Sequence, residues 1–163
     1  MKKLIAMMLA VLMLCTLAAC TESNAPGSTP NNTPVEGFTF TYQGYDLVPG
    51  ANFNEEALGK AESFENPNCA GEGKFITYLH DAIELTVNVV GGKTVVYSIY
   101  LTDANTPTTE GLYLGDDVAR ATELYGAGQS SADGSTITFT KGATQLVVVV
   151  EDEMVASIEY RMA

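Results

Sequence analysis

The sequence predicts an α+β domain built from two tandem helix-plus-three-strand repeats. These are expected to form one curved antiparallel sheet of about seven strands, with two short helices on one face. One observation is that most of the chain after residue 36 alternates between apolar and polar residues, as half-buried antiparallel strands do. Another is that two glycine-bracketed segments, GYDLVPGANFNEEALG (44–59) and GLYLGDDVARATELYG (111–126), each precede three such strands.

Residues 1–19 have the layout of a secretory signal peptide. Lys2 and Lys3 precede an apolar stretch, residues 4–19, which is shorter than the ~20 residues that a membrane-spanning helix needs. The stretch ends in Leu17-Ala18-Ala19-Cys20, which resembles the lipobox of bacterial lipoproteins. The resemblance implies cleavage before Cys20 and attachment of fatty acyl chains such as palmitate. We therefore expect an extracytoplasmic protein that is held on the cell membrane by a lipid anchor at Cys20.

Residues 20–36 are expected to comprise the lipidated cysteine and a disordered linker. The segment TESNAPGSTPNNTPVE (21–36) contains three prolines among small polar residues and has no apolar periodicity. Such a composition cannot bury a hydrophobic core. This composition therefore predicts that the segment is a tether between the anchor and a folded domain at residues 37–163.

The protein becomes more acidic when the signal peptide is removed. Without Lys2 and Lys3, the 8 basic residues of the chain fall to 6 against 20 acidic residues, which gives a net charge of −14. This charge argues against nucleic acid and anionic lipid surfaces as partners. Cysteine usage predicts a domain without a disulfide, because Cys15 leaves with the signal peptide and lipidation of Cys20 leaves Cys69 alone.

Five segments after the linker have a clear period of two. They are FTFTY (38–42), IELTVNV (83–89), TVVYSIYL (94–101), STITFT (135–140) and MVASIEY (154–160). Each predicts a strand with one buried and one solvated face. In the strand at 74–79, either the Phe75/Thr77/Leu79 face or the Ile76/Tyr78 face could be buried, and the sequence does not decide between them.

Each glycine-bracketed segment predicts a short helix. In the second segment, Asp116 and Asp117 suit the first helical turn and Gly126 suits the stop. In the first segment, Asn52 or Asn54 would cap a helix of barely two turns that ends at Gly59.

The two segments and their strands recur at similar offsets. Gly50 and Gly115 lie 65 residues apart, and Ser98-Ile99 lies 59 residues before Ser157-Ile158. Because the pairs keep their order, the pattern predicts an internal duplication, with repeat 1 at about 44–102 and repeat 2 at about 111–162.

GLYLGDDVARATELYG and VASIEY together resemble the units of the β-lactamase-inhibitory-protein-like fold. That resemblance implies helix-plus-sheet units, which in tandem form a curved sheet whose concave face grips a partner protein. The chain is also similar to uncharacterised lipoproteins of Gram-positive anaerobes. Likeness of fold does not transfer inhibition of any enzyme.

The residues that catalysis or metal binding would need are sparse. His80 is the only histidine. It could pair with Asp81, and it has i,i+4 spacing to Glu84, but that spacing builds a metal site only on a helix, and these residues are predicted to link two strands. The sequence has no nucleophile elbow of the form G-x-S-x-G. In VNVVGGKT (87–94), the glycine that would open a phosphate loop is replaced by Val87. We therefore expect no enzymatic activity, no cofactor and no metal site.

The remaining candidate for function is the sheet face opposite the helices. If Ile83, Leu85, Ile99, Leu146, Val148 and Ile158 face the helices, then the opposite face carries the candidate partner-binding residues Glu84, Thr86, Tyr100, Val147, Val149 and Glu159, with Ser157 among them. Tyrosine and aliphatic side chains among hydroxyls are typical of recognition surfaces. A solvated face, or one covered by the N-terminal strand, is the competing interpretation.

We therefore expect a non-enzymatic binding module that holds a protein or cell-envelope partner on this face. The alternatives are a structural or assembly lipoprotein of the cell envelope, and an inhibitor of a secreted enzyme.

Overall fold

The computed structural model describes residues 35–69 and 71–163. The predicted signal peptide, Cys20 and most of the linker lie outside the described residues. Within the described part, no helix has the length and apolar character needed to cross a membrane.

Ten strands, one α-helix and one 3-10 turn make up the described chain. The first half contains β1 (Phe40–Tyr42), β2 (Tyr45–Leu47), the 3-10 turn Glu55–Ala57, β3 (Glu62–Pro67), β4 (Lys74–Leu79), β5 (Ile83–Val90) and β6 (Lys93–Leu101). The second half contains α1 (Val118–Tyr125), β7 (Gln129–Ser130), β8 (Thr136–Lys141), β9 (Thr144–Glu151) and β10 (Met154–Met162).

The main sheet is a pair of four-stranded meanders joined at their last strands. Its order is β3-β4-β5-β6-β10-β9-β8-β7, and all neighbours are antiparallel. Strands β6 and β10 meet in the middle through the pairs Tyr100–Glu159, Ile99–Tyr160 and Ser98–Arg161. The hairpin of β1 and β2 is a separate sheet.

One face of the main sheet holds the hydrophobic core. The residues predicted to face the helices are completely buried, namely Ile83, Leu85, Ile99, Leu146, Val148 and Ile158. Phe40 of the hairpin packs against Tyr160 with ring centroids 5.5 Å apart, and Tyr125 of α1 packs against Phe139 at 5.3 Å. The hairpin and the helix therefore cover the same face. In β4, Tyr78 is buried on the core side and packs against Phe53, so Phe75, Thr77 and Leu79 lie on the other face, where Thr77 is also buried.

The predicted fold class, an α+β domain with two helices on a sheet of about seven strands, is wrong, because the described chain is mostly β and has one α-helix. The main sheet has eight strands, and the N-terminal strand pairs with β2 outside it. Besides the short strand β2, the strands that the sequence did not predict are the edge strands β3 and β7 of the main sheet. Every residue in both is exposed, so neither carries the apolar alternation that predicts a strand.

Of the two predicted helices, only the second is present in the described residues. Asp117 caps α1 by accepting a hydrogen bond from the Ala119 backbone N–H, and Gly126 ends the helix. In the first segment, Asn54 makes the same kind of cap but leads only into the 3-10 turn. Five positions separate Asn54 from Gly59, and so short a segment does not repay the cost of starting a helix.

Matching backbone hydrogen bonds occur in the two halves. The Gly50 N–H donates to the Val96 carbonyl at 2.8 Å, and the Gly115 N–H donates to the Val155 carbonyl at 2.8 Å. The Phe53 N–H likewise donates to Thr94, as the Val118 N–H does to Glu153. The donors are 65 residues apart and the acceptors 59. These are the same two offsets as those noted in the sequence, and the duplication stays a prediction.

The turn between β8 and β9 receives both ends of the described chain. The Ala143 N–H donates to the Glu36 carbonyl at 3.2 Å, and the Ala143 carbonyl accepts from the Ala163 N–H at 2.9 Å. The Phe38 N–H donates to Thr144 Oγ1 at 2.6 Å. The N-terminal segment is thereby docked on this turn.

Two glycines at positive φ provide a matched test of this docking. Gly142 (φ +56) lies against Glu36, and a Cβ there would overlap the Glu36 carbonyl, whereas a Cβ on Gly134 (φ +74) would meet no atom within 4 Å. Gly134→Ala should lower the free energy of unfolding by about 1 kcal/mol through backbone strain alone. Gly142→Ala should lower it by about 2–4 kcal/mol, because the docked segment must also move. Urea unfolding measures both, and equal losses would contradict the docking.

Candidate binding face

The face opposite the core, here called the open face, is covered by no element of the described chain. Strand register places eight of its residues in one continuous line, here called the central row. From edge to edge the row runs Glu62, Leu79, Glu84, Tyr100, Glu159, Val147, Thr138 and Gln129. Side chains directly opposite each other on neighbouring strands have Cβ atoms about 4.5–5.5 Å apart, so neighbours in this row lie side by side.

The candidate residues proposed from the sequence all belong to this face. Glu84, Tyr100, Glu159 and Val147 are consecutive in the central row. Thr86 and Val149 lie two positions along their strands from Glu84 and Val147, opposite Ser98 and Ser157. The competing idea that the N-terminal strand covers this face does not hold, since β1 packs on the core side.

The candidates differ in how much surface they offer. Tyr100 is 39% exposed, whereas Val147 is only 7% exposed and gives a partner little area. Glu84 is exposed and Val149 is half-buried. Thr86 Oγ1 lies 3.0 Å from Thr77 Oγ1 on β4, a cross-strand hydrogen bond that orients both hydroxyls. Tyr100 and Glu84 are therefore the candidates best placed to touch another molecule.

The charges of the central row are compensated unequally. Arg161 Nη1 lies 4.0 Å from Glu159 Oε2, and its Nε donates to Gln145 Oε1 at 3.3 Å. Within the described residues, no ion pair involves Glu84. The negative charge at the middle of the face is thus concentrated on the β5 side of Tyr100.

A β-bulge adds a second tyrosine that sequence periodicity missed. In β6 the register shifts between the pairs Thr86–Ser98 and Val87–Val96, which leaves Tyr97 as the extra residue. Bulges commonly re-aim a side chain. Tyr97 is 43% exposed and packs against Phe75, with ring centroids 4.6 Å apart. Val96 and Ile99 are both buried although they lie three positions apart, a spacing that the period of two predicted for residues 94–101 does not allow.

Tyr97 and Phe75 line an open cleft of about 430 Å³ at one end of the face, together with Pro67, Asn68 and Cys69. Cys69 is exposed and forms no disulfide, and its thiol lies 3.8 Å from the Pro67 carbonyl. A second, polar cleft of about 270 Å³ lies across β7, β8, β9 and β10. The face therefore offers an aromatic end, an acidic centre and a polar end.

His80 lies away from this face, at the link between β4 and β5. Its ring packs against Tyr42 with centroids 5.8 Å apart. Among the described residues no group of histidine, cysteine and acidic side chains could hold a metal ion. Burial lowers the pKa of His80 below its usual 6.5, although Asp81 acts in the opposite direction. The geometry gives His80 a packing role.

No protein-family model matches the chain, and comparisons with curated proteins and with solved structures gave no match. The resemblance to β-lactamase-inhibitory-protein-like units and to Gram-positive lipoproteins therefore stays a prediction.

The lowered pKa of His80 predicts a pH dependence of stability. Below about pH 6.5 the unfolded chain takes up a proton at His80 more readily than the folded chain. The contribution of His80 to the free energy of unfolding is therefore fully present above that pH and is lost as the pH falls. The urea midpoint of the wild type should be lower at about pH 5.5 than at about pH 7.5. His80→Gln should reduce this difference, and an unchanged difference in that variant would assign the effect to other groups.

Proposed function

We propose that the protein is a lipid-anchored, extracytoplasmic binding module that holds a partner protein on the open face of its sheet. The observation that supports it most directly is the gathering of exposed large side chains on the uncovered face. Phe64, Leu79, Tyr97 and Tyr100 are 48%, 36%, 43% and 39% exposed. Strand register places Phe64, Leu79 and Tyr100 on this face, and the contact with Phe75 places Tyr97 there. An exposed group of this kind, rimmed by polar residues, commonly marks an interaction site.

The side chains present suit protein recognition. Tyrosine gives a large contact area and loses little conformational entropy on binding, because it has few rotatable bonds. The strands below it are paired on both sides, so Tyr100 is presented by a rigid backbone. A preformed surface lowers the entropic cost of association.

Anchoring is proposed from the sequence of the N-terminus. The lipobox-like Leu17-Ala18-Ala19-Cys20 would place lipid at Cys20. Because Glu36 is docked, the linker would comprise residues 21–34, and a flexible linker of that length would typically span about 19–22 Å. The domain would then stand close to the membrane surface while keeping freedom to orient the open face toward a partner.

A pair of tyrosines with equal exposure tests the proposed face. Tyr100 and Tyr113 are both 39% exposed, but Tyr113 lies in the loop before α1, next to the buried core residue Leu112. The full chain with a C-terminal tag, purified from cross-linked host envelope, should retain its partner with Tyr113→Ala. Tyr100→Ala should reduce recovery about tenfold, as expected for a central interface tyrosine.

Quantitative mass spectrometry of the cross-linked species provides the readout. Equal recovery with both variants would move the binding site off the open face. Failure to recover any partner with the wild type would favour the passive structural role over the binding role.

The anchor has its own test. Cys20→Ala should shift the protein from the membrane fraction to the soluble extracytoplasmic fraction, because the acyl chains that hold it would be absent. Cell fractionation and the mass of the N-terminal peptide measure this, with Cys69→Ala as a control for loss of a thiol. A Cys20→Ala protein that stays in the membrane fraction, with no acylated peptide in the wild type, would contradict lipidation.

A further inference from the structure

Tyr100 stands between two carboxylates at the centre of the open face. It is directly opposite Glu84 on β5 and directly opposite Glu159 on β10. At such positions the Cβ atoms are about 4.5–5.5 Å apart, so the two glutamate side chains start on either side of the tyrosine side chain. None of the three side chains points into the core, since the buried residues of these strands are their neighbours Ile83, Leu85, Ile99, Leu101, Ile158 and Tyr160.

An aromatic ring flanked by carboxylates has the chemistry of a receptor for an organic cation. The ring face attracts an ammonium or guanidinium group through its quadrupole. Carboxylates add charge-assisted hydrogen bonds, which with arginine can be bidentate. Glu84 is available for this, because no ion pair among the described residues involves it, while Arg161 already lies beside Glu159.

The wider charge distribution has the same sign. The central row carries Glu62, Glu84 and Glu159 and no basic residue. Three of the basic side chains are engaged elsewhere: Lys74 with Glu65, Arg120 with Glu123, and Lys141 over the ring of Phe38. A partner that covers this face must therefore bring positive charge to avoid leaving carboxylates buried and unpaired.

We propose that the partner is a basic protein, and that an arginine or lysine side chain of it docks against Tyr100 between Glu84 and Glu159. This inference rests on the proposed function and specifies the chemistry of the partner at that same face. The aromatic cleft at Tyr97 and Phe75 would receive an apolar side chain from the same partner.

A defined cationic probe tests the site without knowledge of the partner. The probe is a fluorescent peptide of alternating arginine and serine, titrated by anisotropy with the full chain in a nonionic detergent at low and at physiological salt. The double variant Glu84→Gln/Glu159→Gln should weaken binding about tenfold. The matched control Glu56→Gln/Glu123→Gln removes the same charge from the 3-10 turn and from α1, and should weaken binding by about twofold at most.

Variants at Tyr100 separate the ring from the charges. Tyr100→Ala should weaken binding about fivefold, and Tyr100→Phe should restore it, because phenylalanine keeps the aromatic face. Equal weakening by the two double-glutamine variants would show attraction to net charge alone and would overturn the proposal. So would a wild-type protein that does not bind the peptide. If the wild type did not bind the peptide but Tyr100→Ala still lost the envelope partner, the open face would remain the proposed binding site. Only the proposal that the partner is basic would then be wrong.

Discussion

The pairing of β6 with β10 is the interaction on which the rest of the architecture depends. Each four-stranded meander is local in sequence, and the two are joined into one sheet by this pairing. Ile99 and Tyr160 sit at the junction on the core side, and both are completely buried. Because successive residues of a strand point to opposite faces, the same register that buries them exposes Tyr100 beside Glu159. The same strand register thus determines both which residues form the core and which form the candidate binding face.

A strand could be predicted from the sequence where burial of one of its faces produces alternating apolar and polar residues. Strands with one buried face, such as Ile83–Val90, show period-two alternation and were found from sequence. The edge strand Glu62–Pro67 has no buried residue, so its pairing with β4 is dictated by backbone hydrogen bonds and left no apolar pattern. The first predicted helix failed for a different reason, namely that its segment is too short to start a helix although its cap is present.

The candidate face was predictable to the extent that strand alternation assigns faces. Alternation placed Glu84, Tyr100 and Glu159 on one face of the sheet. It could not show that they form one row, because the row depends on the register between strands that are far apart in sequence. Val147 is buried although it lies on the open face, which alternation alone could not reveal. Tyr97 was missed because an extra residue in β6 breaks the alternation. The equivalent extra residue in β10 is Ala156, 59 positions later, so only the first half carries an aromatic ring at this position.

Both ends of the described part of the chain meet at Ala143, and this has a mechanical consequence. A pull transmitted along the chain before Val35 would load the contacts of Glu36 and Phe38 with the β8–β9 turn before it reached any rung of the main sheet. These contacts would break one after another, while the pairing of β6 with β10 would stay intact. If the proposed anchor is correct, tension would enter the domain at this turn and would leave the geometry of the open face unchanged.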